Sequence, residues 1–328
     1  MKIYLLLVLL LLLSVACRND DDTPLPTAAE TCVEAGAKYG DTQEPLYTTQ
    51  FPLADKIVAH PTDPNRFIYR YFIENGHPSI RHYDRSTDVV TTLLETGVGF
   101  KIDWHENGWL LFSTYTLGTG GINVFRMRSD GSGLTQLTFT DNNAYAVWNA
   151  AGDRFAYWSG IGSSARRIVA DFDGNTISSI PIGVTVPFFQ WGTDSTLYGM
   201  NYDGLYTQNV YTGIIDTLTS VSSNGESGGY RRIGDDIYFG DAEGLNRFHI
   251  PSGAKEVIRY TCASTHYAIV SSRTPTATPL VLQGYAYVPA DTLPVPDRPD
   301  FITGELYRRI YTMSTDGHTL EEVVVPEG

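Results

Sequence analysis

The chain has 328 residues and a formal net charge of −14, from 23 Lys and Arg against 37 Asp and Glu. A surface of that sign repels phosphate backbones, so nucleic acid is not expected as a partner, and no basic cluster opposes this. With 31 Gly and 21 Tyr, the composition suits an extracytoplasmic β protein with many turns.

The chain starts with Met1 and Lys2, followed by an apolar run from Ile3 to Leu13 and then Ser14-Val15-Ala16-Cys17. A charged start, a short apolar stretch and a small-residue site describe a signal peptide, too short to remain as a spanning helix. Cys17 after small residues resembles the lipobox of bacterial lipoproteins, with Ser14 where Leu is commoner. The resemblance implies cleavage after residue 16, a lipid on Cys17, and an outer-membrane lipoprotein in the envelope of a Gram-negative bacterium. The acidic run Arg18-Asn19-Asp20-Asp21-Asp22 also resembles the surface-export signal of some such lipoproteins. Residues 17–44 are polar and interrupted by proline, so they are expected to form a solvated tether. Two further cysteines, Cys32 and Cys262, are expected to pair in an oxidising compartment, the alternative being two unpaired thiols.

From residue 45 onward the chain repeats. Asp103-Trp104-His105-Glu106-Asn107-Gly108 opens one unit and Val147-Trp148-Asn149-Ala150-Ala151-Gly152 opens the next. Each unit divides into four short strands, the third and fourth joined by a glycine turn. These glycines are Gly131, Gly174, Gly213, Gly253 and Gly317; the tryptophans Trp104, Trp148 and Trp191 lie 44 and 43 residues apart. Ala59 holds the equivalent place in the first unit. Asp-Gly at three of the turns predicts tight hairpins with positive φ. Six such units predict an all-β chain, a six-bladed β-propeller of four-stranded antiparallel blades over residues 45–328. The Trp-x-x-x-Gly turn and the Asp130-Gly131-Ser132-Gly133-Leu134-Thr135-Gln136-Leu137-Thr138 tail resemble the WD40-like propeller repeat of the TolB family, without its usual proline after the tryptophan. The resemblance implies a ring and little about the ligand.

Chemistry has few candidates. Gly160-Ile161-Gly162-Ser163-Ser164 lacks nucleophile-elbow spacing, and the sixth unit leaves no length for a hydrolase domain, so a serine peptidase is not expected. The seven histidines show no metal-binding spacing, and His60 and His105 match only because the units match. Asp171-Phe172-Asp173-Gly174-Asn175 reads as turn chemistry rather than a calcium loop. No metal or cofactor is expected.

Three residues before the tryptophan position stand Lys56, Lys101, Tyr145, Phe188, Tyr230 and Tyr267. First strands ring a propeller's channel, so these six could form a funnel for a sugar or peptide; the alternative is that they fill space between blades. The proline-rich insertion from about Tyr287 to Ile302 is expected to leave the sixth blade as an extended loop rather than a central strand. The functional expectation is a lipid-anchored, non-catalytic binding or scaffold module with an envelope protein or glycan as partner. The alternative is a carbohydrate-active lyase or glycosidase, for which Asp103 and Asp236 are candidates by position.

Overall fold

The computed structural model describes residues 54–71, 78–95, 98–116, 120–182, 188–201, 204–221, 230–241, 244–260, 265–269, 280–289 and 304–323. The signal peptide, the tether, Cys17, Cys32 and Cys262 lie outside them. No helix among the described residues is long and apolar enough to cross a membrane.

The described strands form four-stranded antiparallel sheets, each built from consecutive strands. The first holds β1 (Ala54–Ala59), β2 (Arg66–Tyr71), β3 (Ser79–Asp84) and β4 (Val89–Glu95). The second holds β5 (Val98–Trp104), β6 (Trp109–Tyr115), β7 (Ile122–Arg128) and β8 (Thr135–Gln136). β9 (Asn143–Trp148), β10 (Arg154–Ser159), β11 (Arg166–Asp171) and β12 (Thr176–Pro181) follow. Next come β13 (Phe188–Thr193), β14 (Thr196–Met200), β15 (Gly204–Asn209) and β16 (Ile215–Ser220). Another sheet holds β17 (Tyr230–Ile233), β18 (Asp236–Gly240), β19 (Gly244–His249) and β20 (Ala254–Tyr260). The last holds β21 (Thr265–Ile269), β22 (Leu280–Pro289), β23 (Gly304–Met313) and β24 (Leu320–Val323). In the first five, side chains are described on all four strands; in the last, β21 is described by its backbone alone.

The period-two alternation of each strand assigns its two faces to two different neighbours. In the third sheet, Ala146, Trp148, Phe155, Tyr157, Ile168 and Ala170 pack with Leu111 and Val124 of the second. The intervening Val147, Ala156 and Val169 pack with Trp191, Leu197 and Val210 of the fourth. Residues on both faces are thus apolar, and the strands read as nearly continuous hydrophobic runs. The same division recurs at the other seams: Val58, Ile68 and Ile80 meet Ile102, Trp104 and Phe112. Tyr198, Met200 and Leu205 meet Ile237 and Phe239, and Tyr238, Leu245 and Ile258 meet Leu280, Tyr311 and Met313. Val323 of β24 joins Ile57, Ala59, Phe67, Tyr69 and Tyr83 of the first sheet, so the last sheet packs onto the first. This is a β-propeller of four-stranded antiparallel blades.

Consecutive first strands touch one another from β1 to β21, which makes them the inner strands. Outer strands such as β4, β12 and β16 are exposed or half-exposed along most of their length. Each tryptophan of the column fills the seam to the preceding blade. Trp104 and Trp148 are fully buried, and truncating either to Ala would cost about 3–5 kcal/mol.

The five turn glycines all have positive φ, from 68° at Gly253 to 93° at Gly174. At Gly174 a Cβ would also stand 2.6 Å from the carbonyl oxygen of Leu137, so the turn closes against the neighbouring blade. One expectation needs correction. Tyr287, Val288 and Pro289 belong to β22, and Pro289 pairs with Gly304. Proline is tolerated there because β21 pairs with β22 only as far as Ala286, so Pro289 has an open edge on that side, where no ladder donor is required. A short 3-10 turn, Gly162–Ser164, is the only helical element among the described residues.

Candidate functional site

The six column residues do fall on the inner strands β1, β5, β9, β13, β17 and β21. They divide into two groups by register. In β9, Ala144 pairs with Trp158 and Val147 with Ala156, so Tyr145 and Ala146 together oppose Tyr157. The same bulge places Lys56 and Ile57 against Tyr69, and Lys101 lies in the irregular stretch of β5 opposite Ser113. Bulges re-aim side chains. Phe188, Tyr230 and Tyr267 sit instead in regular pairs with Met200, Phe239 and Gly284.

The described side chains differ accordingly. Tyr230 is 2% exposed, packs with Tyr198, Ile237 and Phe239, and donates its hydroxyl to the Tyr198 carbonyl. Burial pushes its phenol well above the usual range. Its ring therefore fills a blade seam. Lys101 is buried as well. Tyr145 is half-buried, with φ of 57°, a conformation that costs a non-glycine residue about 1–2 kcal/mol. Its ring meets Trp158 edge-on at 6.5 Å, and burial raises its pKa. The side chains of Lys56, Phe188 and Tyr267 are outside those described.

Just before Tyr145 in the chain lies a rim that sequence reasoning missed. The second and third blades are joined through Phe139, Thr140, Asp141 and Asn142, beside the loop between β6 and β7. Asn123 organises this junction from within: its amide donates to Thr116 Oγ1 at 2.9 Å and to Asp141 Oδ1 at 3.0 Å. Its carbonyl oxygen accepts from Thr138 Oγ1 and Asn143 Nδ2, both at 3.0 Å. Asp141 and Asn142 have φ of 58° and 56°, so three of the four non-glycine residues with positive φ among the described residues lie between 141 and 145. The Asn142 carbonyl accepts from Gly160 N at 3.1 Å, and the Gly160 carbonyl accepts from Trp158 Nε1 at 2.9 Å. On this rigid frame Phe139 is 76% exposed, Ile161 69% and Tyr115 53%. The run Asp141-Asn142-Asn143 was the available signal, because Asn and Asp tolerate the left-handed region better than other side chains.

The sequence-predicted carboxylates do not converge. Asp103 is buried and accepts the Trp148 N–H at 2.8 Å. Asp236 bonds His249 Nδ1 at 2.8 Å on a different blade. The matching histidines are explained by the repeat: His60 packs on Trp104 at 4.5 Å and His105 on Trp148 at 6.4 Å, each against the next blade's tryptophan. Asp171 caps its own turn, accepting from the backbone N–H groups of Asp173 and Asn175 and from the Asn175 amide, and these bonds hold its carboxyl below the usual range. Among the described residues, no three His, Cys, Asp or Glu side chains form a metal-binding group.

No family model matches the sequence, and no curated protein matches it. Among solved structures, acylaminoacyl peptidase in complex with Z-Gly-Gly-Phe-chloromethyl ketone superposes with a TM-score of 0.53 at 10% identity, over 84% of this chain and 53% of that one. A protein described as TolB from Agrobacterium tumefaciens gives 0.51 at 16% identity, over 74% and 87%. Oligogalacturonate lyase in complex with manganese gives 0.50 at 11% identity, over 82% and 88%. The chain spans 53% of the peptidase and likewise 53% of the TolB from Acinetobacter baumannii. At these identities the likeness is one of fold. The class is a β-propeller, with TolB structures among those it resembles.

Proposed function

We propose that this chain is a closed six-bladed propeller of TolB type, anchored by lipid on Cys17 at the outer membrane of a Gram-negative bacterium. There it works as a non-catalytic binding module for an envelope protein or a glycan. Residues 1–16 would be the signal peptide, 17–44 the tether and 45–328 the propeller, with Cys32 and Cys262 bonded across it.

One observation carries the binding role: the strained, exposed aromatic rim at the junction of the second and third blades. The repeat accounts for the buried tryptophans, the turn glycines and the histidines. It does not account for Phe139, Tyr115 or Ile161 in water, nor for strain concentrated beneath them. Left-handed non-glycine residues persist where surrounding structure over-determines them, and they cluster at ligand-binding sites. Of the inner-strand column, Tyr145 is the member proposed to touch ligand. The buried setting of Asp103 and the pairing of Asp236 with His249 favour binding over hydrolysis.

The anchor is tested by fractionation of expressing cells. The intact chain should sediment with outer membranes and take up labelled palmitate, and Cys17→Ser should abolish the labelling, leaving only attachment made through the propeller. A Cys17→Ser protein that still carries the label would overturn the lipid assignment.

A further inference from the structure

The geometry points to an uncharged carbohydrate as the ligand of the rim formed by Tyr115, Phe139 and Ile161. This inference rests on the reading of the chain as a binding module and adds the chemical class of its ligand.

Three features select that class. The exposed rings offer flat apolar faces, and such faces stack on the C–H face of a pyranose. The same junction carries short, fixed polar groups: the Asp141 carboxylate, held by Asn123, and the exposed Asn142 amide. Apolar walls with a few placed hydrogen-bonding groups are the usual make-up of a small-ligand site, and sugar hydroxyls can both donate to a carboxylate and accept from an amide. The third feature is charge. A carboxylate on the rim and a net charge of −14 oppose uronic acids, sulfated sugars and phosphates. Because Asp141 and Asn142 are already held in their left-handed conformations, little ordering is required when a ligand arrives.

The test is affinity electrophoresis of the full chain, in mild detergent, through native gels containing dextran, laminarin or galactomannan, with polygalacturonate as the anionic comparison. At least one neutral polysaccharide should retard the protein. Tyr115→Ala with Phe139→Ala should weaken that binding about tenfold. Ile214→Ala, a 62% exposed residue on the opposite rim, should leave it unchanged. Melting temperatures should match throughout, and the milder Phe139→Gln should reproduce part of the loss. Absence of retardation by all three neutral polymers, equal retardation of the double variant, or retardation by polygalacturonate alone would overturn the inference. If the intact protein nevertheless binds isolated envelopes through this rim, the binding-module reading stands with a protein ligand and only the carbohydrate assignment falls.

Discussion

The carboxylate of Asp103 accepts the backbone N–H of Trp148 at 2.8 Å, tying the inner strands of the second and third blades together. The bond is buried on both sides, so removing the acceptor strands a main-chain donor. Asp103→Ala should lower unfolding free energy by about 2–3 kcal/mol, and Asp103→Asn by less, because an amide oxygen can still accept. Urea unfolding followed by tryptophan fluorescence measures both. Loss of a catalytic activity with unchanged stability would point to chemistry at Asp103 instead.

Arg126 fastens the same seam from the outside. Its guanidinium lies 3.9 Å from the Phe172 ring centre and 5.3 Å from that of Trp109, and it donates to the Phe172 carbonyl. Phe172 in turn stacks on Trp148 at 5.6 Å. Arg126→Ala should cost about 2 kcal/mol, and Arg126→Lys should recover only part, since an ammonium cannot stack as a planar fork does. Full recovery with lysine would mean that charge alone matters.

His60 and His82 both contact Trp104, at 4.5 and 5.8 Å, in the seam between the first two blades. Burial lowers both pKa values below the ordinary 6.5; Arg66 pushes in the same direction, while Asp63 and Asp84 oppose it. The unfolded chain therefore binds protons at a higher pH than the folded one, so stability is complete above pH 6.5 and declines as pH falls below it. Melting temperature should drop as pH falls below 6.5, and His60→Gln with His82→Gln should flatten that part of the profile. A profile unchanged by the double substitution would remove the histidines as its cause.

Gly121 makes room for the rim carboxylate. A Cβ there would stand 1.9 Å from Asp141 Cγ, so Gly121→Ala must expel the Asp141 side chain and break its bond to Asn123. The expected cost is about 1–2 kcal/mol, with weaker ligand binding. Adding Asp141→Gly should restore stability, because glycine accepts the φ of 58° without strain, but should not restore binding. Denaturation and binding measured on the same three variants separate the two effects.

The blades were legible because seam packing repeats. Trp104, Trp148 and Trp191 each fill the same interface, so their spacing reports the unit directly. The turn glycines were legible for a backbone reason, since each needs positive φ. The inner-strand column was legible only in part. Its strand assignment follows from the repeat, but whether a residue sits in a bulge, as Tyr145 does, or in a regular pair, as Tyr230 does, depends on how each first strand meets the second. Tyr145 takes up a left-handed conformation with no glycine to announce it. The rim was hidden for a similar reason: Phe139 looks like any aromatic near a strand end until the junction places it in water.

Retention on isolated envelopes tests the central claim most directly. The chain lacking lipid (Cys17→Ser) should bind purified envelopes, and Tyr115→Ala with Phe139→Ala should release it while Ile214→Ala does not. Equal retention of all three proteins, or release by Ile214→Ala alone, would contradict a ligand site at the junction of the second and third blades.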